Sequence, residues 1–256
     1  MIKKIAGERA FELDALRGLA VVMMMLHHLI YDFRYVFGLD VFAWQDSYFF
    51  IEWVRAPFVF IFLFVSGICC SFSKNNFIRA AKTAIVAFLF SGIFYVLSIL
   101  SDSEMYVYFN VLHLLALGTL IYAVLSLIEK KCSFKGVNAV LILSGVFFMW
   151  MAYPLSKISA TFQPLLIPLS EQFAKGIGMA DYMPMVPWLG IFFFGALFGR
   201  LYYREKKTLF ANTAAPMRLI TLPFEFVGRN ALLFYVLHQP IIIGVLYLLR
   251  ILGIMG

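Results

Sequence analysis

About seven stretches of this chain stay apolar for roughly 18 to 24 residues each. That length constrains the fold more than any other feature. A hydrocarbon layer about 30 Å thick is crossed by about 20 residues of helix, and no water is present there to satisfy backbone amides, so only helices and closed barrels span it. Outer-membrane strands read instead as a weak alternation over about ten residues. The runs therefore predict an all-α integral membrane protein, a polytopic bundle filling residues 1–256 as a single domain. The expected spans are about 10–31, 50–71, 82–100, 107–128, 136–153, 186–203 and 230–252. With 63% hydrophobic and 14% charged residues and a mean hydropathy of +0.90, no water-facing surface can be built. The first run lacks the small-residue cleavage site of a signal peptide and holds Asp14 and Arg17, so it is expected to be retained. No internal repeat, low-complexity tract or interdomain linker stands out.

Charge sorts the loops. Lys3, Lys4 and Arg9 precede the first run, Lys74, Arg79 and Lys82 follow the second, Lys130, Lys131 and Lys135 the fourth, and Arg200, Arg204, Lys206, Lys207 and Arg218 the sixth. The alternate loops hold Asp32, Asp40, Asp46 and Glu52, then Asp102 and Glu104, then the mixed segment from Pro154 to Pro187. By the positive-inside rule the N-terminus is cytoplasmic, and the net charge of +7 serves orientation, which argues against a nucleic-acid partner. The segment 154–187 is expected to lie in the outer interface or dip back into the protein. "MRLITLPFEFVGRN" is expected as a short amphipathic cytoplasmic helix broken by Pro223 and Gly228. Cys69, Cys70 and Cys132 are odd in number, fall on one side and lack metal-site spacing. They read as reduced, inert thiols, and no metal site is expected.

The first run, "LDALRGLAVVMMMLHHLIYDF", carries a polar stripe. At about 100° and 1.5 Å per residue, Arg17 and His28 lie within about 20° of each other and about 16 Å apart along the axis. Asp14 and Asp32 fall on nearly the same face, whereas His27 is rotated about 100° away. Arg17 could simply snorkel and pair with Asp14, and an interfacial histidine could simply be wet. His113 in "FNVLHLLALG" and His238 in "RNALLFYVLHQP" change the weighing, because three of the four histidines can face one cavity. Imidazoles in such a cavity suit acid–base chemistry near neutral pH. Packing across helices is the competing structural use.

"ELDALRGLAVVMMMLHHLIYDF", "VLHLLALG", "MPMVPWLGIFFFGALFGR" and "VGRNALLFYVLHQP" together resemble the bacterial branch of the heparan-alpha-glucosaminide N-acetyltransferase catalytic family. "LDALRG" followed by a histidine is more distantly similar to membrane acyltransferases that O-acylate cell-surface sugars. The resemblance implies a multi-pass enzyme of a bacterial cytoplasmic membrane that takes an acyl group, usually acetyl, from cytoplasmic acyl-CoA. It would deliver that group to the amine or hydroxyl of a sugar or glycan on the far side. His28 would be the base, Asp32 or Tyr31 would tune it, and His113 or His238 would polarise the thioester carbonyl or orient the acceptor. Asp14, Arg17, Arg229 and Asn230 would serve the acetyl-CoA end, and Tyr31, Trp188 and Gln239 the substrate. An acyl-imidazole relay would use the same residues. In the lysosomal enzymes an asparagine matches His28 and the proposed catalytic histidine lies in the following luminal loop. Here no histidine occurs from Leu29 to Leu112, so the catalytic group is expected at His28. A proton-coupled transporter is the alternative from a different class, and a non-catalytic scaffold a third. Aromatic-rich spans are compatible with a homodimer, although no motif decides it.

Overall fold

The computed structural model describes residues 10–101, 106–129, 133–159, 162–176, 179, 181–210 and 215–254. Lys3, Lys4, Arg9, Asp102, Glu104, Lys130, Lys131 and Cys132 lie outside them. The described chain is helical, with one isolated bridge between Tyr106 and Met179. Its main helices are α1 (Phe11–Tyr31), α2 (Ala56–Ile68), α3 (Asn76–Ser101), α4 (Val111–Glu129), α5 (Phe134–Ser156), α6 (Trp188–Tyr202), α7 (Ala215–Arg229) and α8 (Ala231–Ile251). Among the described residues six apolar helices are long enough to cross a membrane: Phe11–Val36, Phe50–Ile68, Asn76–Leu100, Val111–Glu129, Phe134–Ser156 and Ala231–Ile251. The shorter apolar α6 falls at the remaining expected span. The protein is a polytopic helical membrane protein. Its chain forms two compact units, residues 1–62 with 206–256, and residues 63–205.

In the first unit α1 is the organising helix. Its first turns bury Phe11 and Leu13, and the smaller Gly18, Ala20 and Val21 follow. A Cβ on Gly18 would run into the Phe224 carbonyl of α7, and one on Gly228 would run into the Asp14 carbonyl of α1. Two glycines thus let two backbones touch, the close approach that small residues permit in membranes, where no hydrophobic force draws helices together. Further along, the rings of His28 and His238 are 5.0 Å apart, and those of Phe37 and Tyr247 are also 5.0 Å apart. The three pairs share one offset, 228 − 18 = 238 − 28 = 247 − 37 = 210. The segment α7–α8 therefore runs parallel to α1 in constant register.

This corrects the expected breaks at Pro223 and Gly228. Helix α7 continues through both and ends at Arg229. Pro223 lies on the exposed side, where the proline's missing hydrogen bond leaves only the Leu219 carbonyl unserved, and Gly228 is spent on the contact with α1. The break comes at Asn230, whose non-helical backbone separates α7 from α8 and whose side-chain amide donates to the Phe226 carbonyl at 2.9 Å. The amphipathic expectation holds: Leu219, Ile220, Leu222 and Phe226 are exposed, while Glu225 and Gly228 are buried. The buried side faces α1.

In the second unit α6 is the buried centre, with Leu189, Phe192, Phe193 and Ala196 almost fully enclosed. Glycines again set the approach. Cβ atoms on Gly67, Gly195 and Gly199 would meet the carbonyls of Phe192, Phe64 and Ile68, so the end of α2 lies along α6 backbone to backbone. Arg200 ties the far end of α6 to its neighbours. Its guanidinium donates to both Glu129 carboxylate oxygens at 2.8 and 2.9 Å and to Asn138 Oδ1 at 2.7 Å, and lies 4.5 Å over the Phe134 ring. The segment after α5 is a folded cap built on short turns at Pro164–Leu166 and Glu171–Phe173. Phe173 and Val186 pack on Leu155, and Met185 N–H donates to the Pro168 carbonyl at 2.7 Å. Leu165, 94% exposed, is the kind of apolar tip an interfacial segment presents.

Candidate functional site

The polar stripe of α1 has two ends, both within the first unit. At the outer end the His238 ring, on α8, is buried and tilted 53° to that of His28, which is half-buried. His238 Nδ1 lies 2.6 Å from the Tyr235 carbonyl. A carbonyl only accepts, so the neutral ring carries its proton on Nδ1 and presents a lone pair at Nε2. One turn beyond His28, α1 widens into a π-helical turn, Asp32–Val36, closed by Phe37 N–H donating to the Asp32 carbonyl at 2.9 Å. Such turns are rare and gather at functional positions. Asp32 is 1% exposed there, with the Gln239 amide beside its carboxylate. The Tyr31 ring is turned outward, 45% exposed and 4.7 Å from Tyr35.

His27 has a different occupation. The buried Gln45, on a short turn at Ala43–Asp46, donates its amide to His27 Nδ1 at 2.6 Å and to the His27 carbonyl at 2.9 Å. An amide that must donate to that carbonyl has its orientation decided, so Nδ1 accepts and the His27 proton sits on Nε2. Arg34 holds the same loop, 3.1 Å from Asp46 and 2.9 Å from the Val41 carbonyl. The separation of His28 from His27 by helix angle thus matches two different environments. Nothing in the isolated run announces Gln45.

At the inner end, buried Asp14 meets the Arg229 guanidinium at 3.4 Å. Arg229 also reaches Glu225 at 2.8 Å, and Glu225, 1% exposed, accepts further from Arg218 at 3.1 Å and Thr221 at 2.9 Å. A carboxylate this deeply enclosed is tolerable because cationic and hydroxyl donors surround it. Glu12 accepts from Thr208 Oγ1 at 2.7 Å and Leu209 N–H at 2.9 Å, securing the start of α1. Arg17, one turn past Asp14, is half-buried. Glu225 went unnoticed in the sequence, although its i, i+4 spacing to Arg229 was readable there.

His113 belongs to the second unit. Asn110, fully buried, caps α4 by accepting from the Leu112 and His113 N–H groups at 3.1 and 3.4 Å. Its Oδ1 lies 2.8 Å from His113 Nδ1, its amide donates to Asp181 at 3.2 Å, and Ser91 Oγ stands 3.5 Å from His113 Nε2. Phe88 meets the imidazole edge-on and Phe109 at a tilt. Asn110 and Asp181 are polar partners that sequence reasoning missed, and an Asn opening an apolar run was the available signal for the cap. Nearby, Tyr182 donates to the Ile167 carbonyl at 2.7 Å; burial, with Glu171 adding to it, pushes its phenol up, so it remains a donor. Trp188 opens α6 and is half-buried. Among the described residues no group of three or more His, Cys, Asp or Glu side chains could hold a metal.

Residues 9–240 match the family described as Heparan-alpha-glucosaminide N-acetyltransferase, catalytic. The chain belongs to this family. Membership places it among transmembrane acetyltransferases, and every candidate residue from Asp14 to Gln239 lies inside the matched stretch. No curated protein and no solved structure matches the chain. For an acetyltransferase of this family the outer end of α1 offers a lone pair on His238, a second imidazole at 5.0 Å and a buried carboxylate one turn away. Imidazoles and carboxylates are among the side chains able to take part in general acid–base chemistry. The inner end offers a rim of arginines.

Proposed function

We propose that the protein moves an acetyl group from cytoplasmic acetyl-CoA to an amine or hydroxyl of a sugar or glycan on the extracytoplasmic side of a bacterial cytoplasmic membrane. The His28–His238 pair in a chain of this acetyltransferase family is the observation that carries the reading. His28 takes the proton of the acceptor as it attacks the thioester carbonyl. His238 is the second acid–base group. With Nδ1 committed to the Tyr235 carbonyl it can receive a proton at Nε2, and it can donate from there only once charged. That supports proton exchange with His28 or orientation of the acceptor, and speaks against His238 polarising the carbonyl while neutral. Arg17 and the arginines of the inner end, Arg218 and Arg229, supply positive charge for the polyanionic nucleotide. Arg229 does so while bridging Asp14 and Glu225.

The reading is tested by purifying the protein, following thermal unfolding with increasing acetyl-CoA, and then measuring acetyl transfer to amino sugars and neutral sugars. A ligand that binds only the folded state adds about 2.7 kcal/mol at a hundredfold excess over Kd. The expected result is a saturable stabilisation followed by acetylated product that His28→Ala abolishes. A folded protein indifferent to millimolar acetyl-CoA, with proton or solute flux in sealed liposomes, would overturn it in favour of a transporter.

A further inference from the structure

Helix α3 packs along one narrow face. Its buried residues Ala80, Ala87 and Ser98 fall within about 20° of one another, and α4 is the helix against it. Ile78, Lys82, Ile85, Leu89 and Ile93 make up the opposite face, and all five are exposed. From Lys82 to Ile93 this stripe runs about 16 Å, close to the depth of one leaflet of a hydrocarbon layer about 30 Å thick.

One end of the stripe is cationic. Lys74 is exposed in the turn before α3, Lys82 is exposed on the stripe, and Arg79 is half-buried one turn before Lys82. The Arg79 guanidinium is held in place, donating to the Ser66 carbonyl at 3.1 Å and lying 3.7 Å from Cys70 Sγ. Those two contacts leave N–H groups of its five unspent. No Asp or Glu occurs from Trp53 to Ser101, and among the described residues none of the three cations pairs with a carboxylate. The turn joins the membrane-crossing helices Phe50–Ile68 and Asn76–Leu100, so it stands at the membrane edge, at the level of lipid headgroups.

We infer that Lys74, Arg79 and Lys82 bind the phosphate of an anionic phospholipid whose acyl chain lies along Ile85, Leu89 and Ile93. A half-buried guanidinium that lacks a counter-charge in its own chain is completed by one from outside. A soluble anion would use the cations alone, whereas a lipid also covers the apolar stripe that continues from them. A snorkelling lysine needs no neighbours, but Arg79 is fixed beside Lys82 by contacts of its own. Three cations around one phosphate leave a surplus of positive charge, which opposes a choline headgroup and favours a lipid of net negative charge. The inference goes beyond the transfer reading and does not depend on it.

The test follows thermal unfolding of the purified protein with added phosphatidylglycerol, phosphatidylcholine of the same acyl chains, and glycerol phosphate. Phosphatidylglycerol is expected to stabilise saturably, and the other two far less. Each cation near an anionic headgroup is worth about fivefold in affinity, so Lys74→Gln with Lys82→Gln should weaken the phosphatidylglycerol response about 10- to 30-fold. Lys157→Gln with Lys175→Gln, which removes the same charge from the segment after α5, should leave it unchanged. Equal stabilisation by the two lipids, a wild-type response from the Lys74 and Lys82 variant, or the same loss in the Lys157 and Lys175 variant overturns the inference. Glycerol phosphate matching phosphatidylglycerol overturns it in favour of a soluble phosphate ligand.

Discussion

The rings of His28 and His238 lie 5.0 Å apart although the two residues belong to the first and last apolar helices of the chain. Ten residues before each stands a glycine, Gly18 and Gly228, and those glycines meet backbone to backbone. Parallel helices locked at one level stay level ten residues on, so the glycine contact delivers the histidines to each other.

If the two imidazoles act as a unit, replacing either with alanine should cost about 10²- to 10⁴-fold in kcat, and replacing both should cost little more than the worse single change. His27→Ala should cost far less, since that ring is engaged by Gln45. Steady-state acetyl transfer by the three single variants and the double variant decides this.

Gly18→Leu should destabilise the first unit by about 1 to 3 kcal/mol and lower activity with it, because any Cβ there collides with the Phe224 carbonyl and forces α7–α8 away from α1. Gly244→Ala serves as the control, since a Cβ at Gly244 meets nothing within 4 Å. Thermal unfolding in detergent, run beside the transfer assay, should separate the two.

Arg200→Ala should cost about 3 to 5 kcal/mol in stability, the usual loss when one partner of a buried ion pair is removed. Arg200 is 7% exposed, and its change leaves Glu129 and Asn138 without their donor. The measurement is a denaturation midpoint.

Burial pushes the Cys70 thiol up to about 11, whereas Cys69 beside it is half-buried. Below that value the thiolate falls about tenfold for each unit of pH, and the thiolate is the reacting species. Maleimide at neutral pH should therefore modify Cys69 well before Cys70, and Cys70 labelling should climb steeply towards pH 10. Peptide mass mapping over a time course would show it. Faster labelling of Cys70 would contradict the burial.

Much of this protein was legible in one dimension. Apolar run length dictates a helical membrane protein, because a backbone in lipid must satisfy its own hydrogen bonds. The α-helical period places His28 and Asp32 along one stripe and separates them from His27, and the structure gives His27 its own partner. Helix period says which side chains share a face. It does not say which other face they meet, at what height, or through which partner. The pairing of Asp14 with Arg229 and the meeting of His28 with His238 depend on the register between segments about 210 residues apart. That register is set by two missing Cβ atoms and a backbone collision avoided, a contact that exists only once both helices are in place.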